Sequence, residues 1–188
     1  VNALKFLEHE KLIEAIPRRG YFVRLFSKQE MVQIFELREV LEGLAARRAA
    51  QHITGAQLKQ LEGFFKQFGG STDITDYKTY AREDRRFHNF VIEVGGKEFL
   101  KSILQTYNII VFSYQVVSSE GLIRPPNETI HEHLAIVAAI RKRDALAAEE
   151  LMRQHLRKSG DFIQRDIASE KQEGTRRPRA VNQQNAKL

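Results

Sequence analysis

From residue 34 onward, apolar side chains recur every three or four positions, and glycine, proline or a capping residue interrupts the pattern at intervals. Ile34, Leu37, Leu41 and Leu44 form one such seam. Leu58, Leu61, Phe65 and Phe68 form a second after a Thr54-Gly55 start, which predicts a helix running to Gly69-Gly70. A third ends at Gly95-Gly96. Phe99 to Val117 is apolar over most of its circumference, which predicts a central helix. Pro125-Pro126-Asn127 breaks the chain, and helices follow over about Glu128 to Lys142 and Asp144 to Ala168, with Asp144 as N-cap. A 3.6-residue period sustained this way leaves a mainly α fold, an antiparallel bundle of six or seven helices over residues 28–168.

The first 25 residues follow a different pattern. A helix end, with Ala3, Leu4 and Leu7 at helical spacing, leads to a short strand over Lys11 to Ala15. Pro17-Arg18-Arg19-Gly20 is a turn and Tyr21-Phe22-Val23 a second strand. Helix followed by a basic-tipped hairpin is the order found in the second half of a winged helix-turn-helix. The chain opens at Val1 in mid-pattern, so a longer N-terminal domain is expected ahead of it. Residues 169–188 lack apolar periodicity and are expected to form a disordered basic tail; a net three of the six excess positive charges lie in 170–188. There is no cysteine, which excludes disulfides and thiolate metal sites and suits a reducing cytoplasmic setting. No apolar run approaches the length of a membrane span, and no signal peptide is visible.

Four polar residues stand where the pattern calls for core. Asp84 and His88 lie on a seam with Tyr77, Ala81 and Val91. His133 lies with Ile130, Val137 and Ile140, and His155 with Ala148, Met152, Ser159 and Phe162. Burying a carboxylate and three imidazoles without partners costs several kcal/mol, roughly the net stability of a domain. A divalent cation satisfies all four together. Asp84 and His88 are one helical turn apart and share a face. His133 and His155 each lie 11 residues from Asp144, so an antiparallel hairpin sets them at equal depth. Imidazoles and one carboxylate suit Zn²⁺ first, then Ni²⁺, Mn²⁺ or Fe²⁺, ahead of Mg²⁺ or Ca²⁺. A single histidine on an apolar face is more often a hydrogen-bonded core residue, and His131 and His52 are read that way.

Several motifs in order resemble a known family. Asp84-Arg-Arg-Phe87-His88 looks like the D-x-x-F-H motif of the FCD ligand-binding domain of GntR-type regulators. Glu132-His133-Leu-Ala-Ile and Met152-Arg-Gln-His155-Leu156, flanking Arg141-Lys-Arg-Asp144-Ala, resemble its two C-terminal motifs. Leu37-Arg38-Glu39-Val40-Leu41-Glu42-Gly43-Leu44-Ala45 is similar to its first bundle helix. Leu7 to Ile13 and Pro17 to Val23 resemble the end of the GntR winged helix-turn-helix. The match covers about residues 1–168, and six bundle helices would place the chain in the VanR-like branch of the FadR subfamily.

The resemblance implies a homodimeric transcription regulator that is not an enzyme. It implies a metal on Asp84, His88, His133 and His155 that helps to hold a small carboxylate effector, with Arg38 as a second carboxylate ligand. Arg38 also has a plainer reading, a helix-surface ion pair with Glu42. Asn108, Ser113 and Gln115 are candidates for the rest of the pocket. Arg18 and Arg19 at the wing tip and Asn2, which stands where relatives commonly carry arginine, are candidate DNA contacts. Operator binding is expected only with the complete N-terminal domain. Two other readings use the same metal: a mononuclear enzyme with His131 as base, and a purely structural staple.

Overall fold

The computed structural model describes residues 2–69, 74–118 and 122–176. In chain order the elements are α1 (Asn2–His9), β1 (Ile13–Ile16), β2 (Gly20–Val23), α2 (Lys28–His52), α3 (Gly55–Leu61), α4 (Tyr77–Gly95), α5 (Lys97–Ser118), α6 (Pro126–Arg141) and α7 (Ala145–Arg176). The strands pair antiparallel, with Ile13 opposite Val23 and Ile16 opposite Gly20. The turn between them needs left-handed backbone at Arg18 (φ 64°) and a positive φ of 96° at Gly20, where the missing Cβ makes this easy. Four residues separate this hairpin from the bundle. Ser27 caps α2 in a reciprocal box with Glu30, and Glu30 also pairs with Arg24 at the end of β2.

Helix α2 packs against α4, α5, α6 and α7, so it is the central helix. Its buried stripe is Phe35, Arg38, Glu42, Ala45, Ala46 and Ala49. The Ile34–Leu37–Leu41–Leu44 seam is therefore displaced around the helix: Leu37 is 46 % exposed and Leu41 and Leu44 are half-buried. Small residues hold the core side because α4 crosses there with backbone nearly in contact. A Cβ on Gly95 would stand 1.9 Å from the Ala45 carbonyl oxygen.

Three further expectations change. Helix α5 is peripheral, with Leu100, Leu104, Ile110 and Val111 buried on one side and Phe99 84 % exposed on the other. An apolar circumference does not centre a helix when only one face of it is covered. The second seam breaks at Leu61, and a short 3₁₀ turn at Lys66–Phe68 follows Phe65 in left-handed backbone (φ 60°). The Phe65 amide donates to the Glu83 carboxylate at 3.3 Å, and the break turns Phe64, Phe65 and Phe68 onto Phe87 and Tyr80. Finally, α7 continues past residue 168 to Arg176. The helix-favouring run Glu170-Lys171-Gln172-Glu173 extends it, and Lys28 anchors it through Asp166 and Glu170, both at 2.6 Å. The remainder of the expected tail, 177–188, lies outside the described residues.

The α6–α7 hairpin forms as its cap predicts. The Ala147 amide donates to Asp144 Oδ1 at 3.1 Å. None of the described helices is long and apolar enough to cross a membrane.

Candidate metal centre

The bundle brings Asp84, His88, His133 and His155 together, with one candidate ligand atom from each lying within 4.8 Å of all the others. The three histidines are buried and Asp84 is half-buried. The aromatic cluster made by the break after α3 closes the inner side. Phe65 stacks on the His133 ring at 4.5 Å between centroids, and Phe87 meets it edge-on at 5.3 Å.

Partners on the far side of each ring set which nitrogen carries the proton. His88 Nδ1 lies 2.6 Å from Glu42 Oε2, and His155 Nδ1 lies 2.8 Å from Glu132 Oε2. A carboxylate can only accept, so both Nδ1 atoms donate. His133 Nδ1 lies 2.9 Å from the Tyr80 hydroxyl, which lies 2.8 Å from Thr129 Oγ1; Thr129 in turn donates to the Pro125 and Pro126 carbonyls. With the Thr129 proton on those carbonyls, Tyr80 donates to Thr129 and accepts from His133 Nδ1. In a neutral imidazole held this way, Nε2 is the atom that keeps a lone pair. Burial pushes the His155 imidazole down to about 3, with the neighbouring His133 acting the same way. Burial likewise pushes His133 down, against the pull of Asp84. Both are therefore neutral at pH 7.

Four acceptors thus converge with no donor among them. His133 Nε2 stands 3.1 Å from Asp84 Oδ1 yet out of line for a hydrogen bond, a buried nitrogen without a partner. His88 Nε2 is 4.0 Å from the same oxygen. Three imidazole nitrogens with one carboxylate oxygen fit a divalent transition metal.

The outer partners are themselves held. Glu42 accepts from Arg38 Nε at 2.6 Å through its other oxygen. Burial opposes the Glu42 charge, but Arg38 and His88 overcome this and hold the carboxyl down to about 2. Burial opposes the charge of Glu132 as well. His155, Arg124 and Lys158 hold its carboxyl well below the usual range, and Arg124 grips it with two bonds of 2.8 and 3.0 Å.

A cavity of about 670 Å³ opens beside the cluster, lined in part by Asp84, His88, His155, Arg38, Asn108 and Gln115. Arg38 pairs with Glu42, but the pair is buried and not on the helix surface, and Arg38 also lines the cavity. The side chains of Ser113 and Asn2 lie outside the described residues. Arg18 and Arg19 are exposed at the hairpin turn, far along the chain from the cluster. His131 is exposed on α6 and does not line the cavity, so it is not placed as a base there. Sequence reading missed the anchoring roles of Glu42, Glu132 and Tyr80 and the cavity residue Arg124. The available signal was a pair of charges, Arg38 and Glu42, on the core stripe of α2.

A family model described as "FCD domain" matches residues 33–158. This chain belongs to the FCD family. The HTH-type transcriptional repressor RspR of Escherichia coli is 27 % identical over 157 residues, covering 84 % of this FCD chain and 68 % of that protein. Among solved structures, Streptococcus agalactiae GntR shares the fold with a TM-score of 0.58 at 21 % identity, over 85 % of this chain and 79 % of that one. Escherichia coli McbR/YncC does so with a TM-score of 0.65 at 17 % identity, over 92 % and 83 %. The FCD chain is thus a transcription regulator, like the HTH-type regulators it matches.

Proposed function

We propose that this FCD chain is the sensing half of its regulator. Asp84, His88, His133 and His155 hold a divalent transition metal, zinc first. The observation that carries this is the convergence of three Nε2 lone pairs and one carboxylate, all acceptors, at one buried point. Glu42, Tyr80 and Glu132 fix the ring orientations from outside, an arrangement typical of metal-bound histidines.

The bound metal supplies a Lewis-acidic position for a carboxylate. The adjoining cavity favours a sensor over a structural staple, since Asp84, His88 and His155 all line it. In this reading Arg38 and the metal hold the carboxylate of a small organic acid. The chain acts in the cytoplasm as a homodimer on operator DNA, through a winged domain of which residues 1–25 are the closing part. Arg18, Arg19 and Asn2 contact that DNA. The Arg24–Glu30 pair ties the hairpin to the helix that carries Arg38, giving effector and DNA a common element to bias.

A thermal-shift screen of metals against small acids tests this. Acids raise the melting temperature only with metal present if the reading holds. A metal that raises it while no acid adds to the shift leaves the structural staple instead.

A further inference from the structure

The segment between the hairpin and the bundle, residues 24–30, is held from two sides. On the hairpin side, the Arg24 amide donates to the Leu12 carbonyl at 3.0 Å. The Arg24 guanidinium lies over the Phe26 ring, 4.9 Å from its centroid, and pairs with Glu30. Glu30 also accepts from the Ser27 amide and hydroxyl at 2.9 and 3.0 Å, while Leu12 and Phe26 pack against the core. On the other side stands Lys28, the first residue of α2. Its ammonium donates to Asp166 Oδ2 and Glu170 Oε1, both at 2.6 Å. Those carboxylates are one turn apart on α7, so a single cation grips one face of that helix.

Helix α7 runs unbroken from Ala145 to Arg176 and carries His155. Asp166 lies about 16 Å and Glu170 about 22 Å beyond His155 along its axis. Between them α7 is seated closely on α2, where a Cβ on Gly160 would stand 3.4 Å from the Phe35 Cβ. One continuous helix therefore joins a candidate metal ligand to the joint that holds the hairpin. We propose that Lys28 is a positioning residue through which metal at the cluster orders the hairpin. This rests on the metal reading above. Metal on His155 fixes the axial position of α7, Asp166 and Glu170 carry that position to Lys28, and residues 24–30 pass it to β2. An exposed ion pair adds little to stability, so the role of this one is placement. The route runs through α7 and not through α2 alone, although α2 carries Glu42 behind His88.

Hydrogen exchange of the full chain with and without zinc, followed by mass spectrometry over residues 12–26 and 150–160, tests this. In the parent, zinc slows exchange around His155 and slows the hairpin amides by at least about fivefold, the lower end of coupling between two sites. In Lys28→Met, zinc still slows exchange around His155, and the hairpin effect falls below about twofold. A merely structural pair would change hairpin exchange equally with and without zinc. Should Lys28→Met fail to fold by circular dichroism, Asp166→Asn combined with Glu170→Gln, which leaves α2 untouched, decides. A zinc effect on the hairpin of equal size in parent and variant would overturn the inference and leave the metal reading standing, as would its absence from a parent protected around His155. Zinc that protects neither segment would overturn both.

Discussion

The metal cluster and the α5 wall border one cavity and are finished in opposite ways. Around the cluster, each ring's Nδ1 has a partner, and those partners have partners of their own: Arg38 behind Glu42, Arg124 and Lys158 behind Glu132, Thr129 behind Tyr80. What remains open there is a set of lone pairs aimed at one point. On α5, Asn108 donates to Asn89 and leaves its Oδ1 without a partner, and the opposite face of the helix exposes Phe99 and Ile103. Burial alone does not separate these regions. Completeness of partnering does: the rings of the cluster are held from outside, as the proposed metal centre requires, and the α5 wall is not.

The comparison breaks most readily at the cluster. Metal in thousandfold excess over Kd stabilises the fold by about 4 kcal/mol, so chelation lowers Tm by about 10 °C in a chain of this size. Differential scanning calorimetry with and without chelator measures this, and an unchanged Tm removes the metal from the account. Next in size are the outer carboxylates. Glu42→Gln and Glu132→Gln each weaken metal binding by about 10- to 100-fold in chelator competition. Tyr80→Phe costs less, because a neutral hydrogen bond replaces a charged one at that ring. Equal losses at all three would erase the distinction between charged and neutral anchors.

The two walls also differ in response to pH. The His133 and His155 imidazoles titrate below their ordinary value of 6.5, His155 at about 3. The unfolded chain therefore takes up protons that the folded chain refuses as pH falls below 6.5. Stability of the metal-free protein is fully present above pH 6.5 and declines from there toward pH 3. Urea melts at pH 7 and 5 give the slope, and a rise in stability on acidification contradicts the assignment. Replacing the α5 amides leaves that slope unchanged. The smallest effect is on α5 itself: Asn108→Leu shifts stability by no more than about 1 kcal/mol either way, since it removes one exposed hydrogen bond to Asn89 together with one unpartnered oxygen.

How far the sequence reached follows the same division. The four cluster residues were legible because each interrupts an apolar seam on its own helix, and the symmetric spacing about Asp144 set two of them at one depth. Their anchors were not, because Glu42 meets His88 across 46 residues and Tyr80 meets His133 across 53. The stripe of α2 misled because its core side holds alanines and an ion pair, while Leu37 and Val40 face out. Helix α5 misled for a related reason: its apolar residues surround the helix, and nothing local says which side the bundle covers. The break after Leu61 depends on Glu83 accepting from Phe65, a contact between elements that helical spacing cannot show.

The central claim, a metal held by Asp84, His88, His133 and His155, is tested most directly by metal analysis of the purified chain beside His133→Ala and His155→Ala. The account predicts about one transition-metal ion per chain in the parent, as for a site of four ligands, and loss of most of it in either variant. A parent that takes up no zinc, nickel, manganese or iron, or variants that keep full metal content, would contradict it.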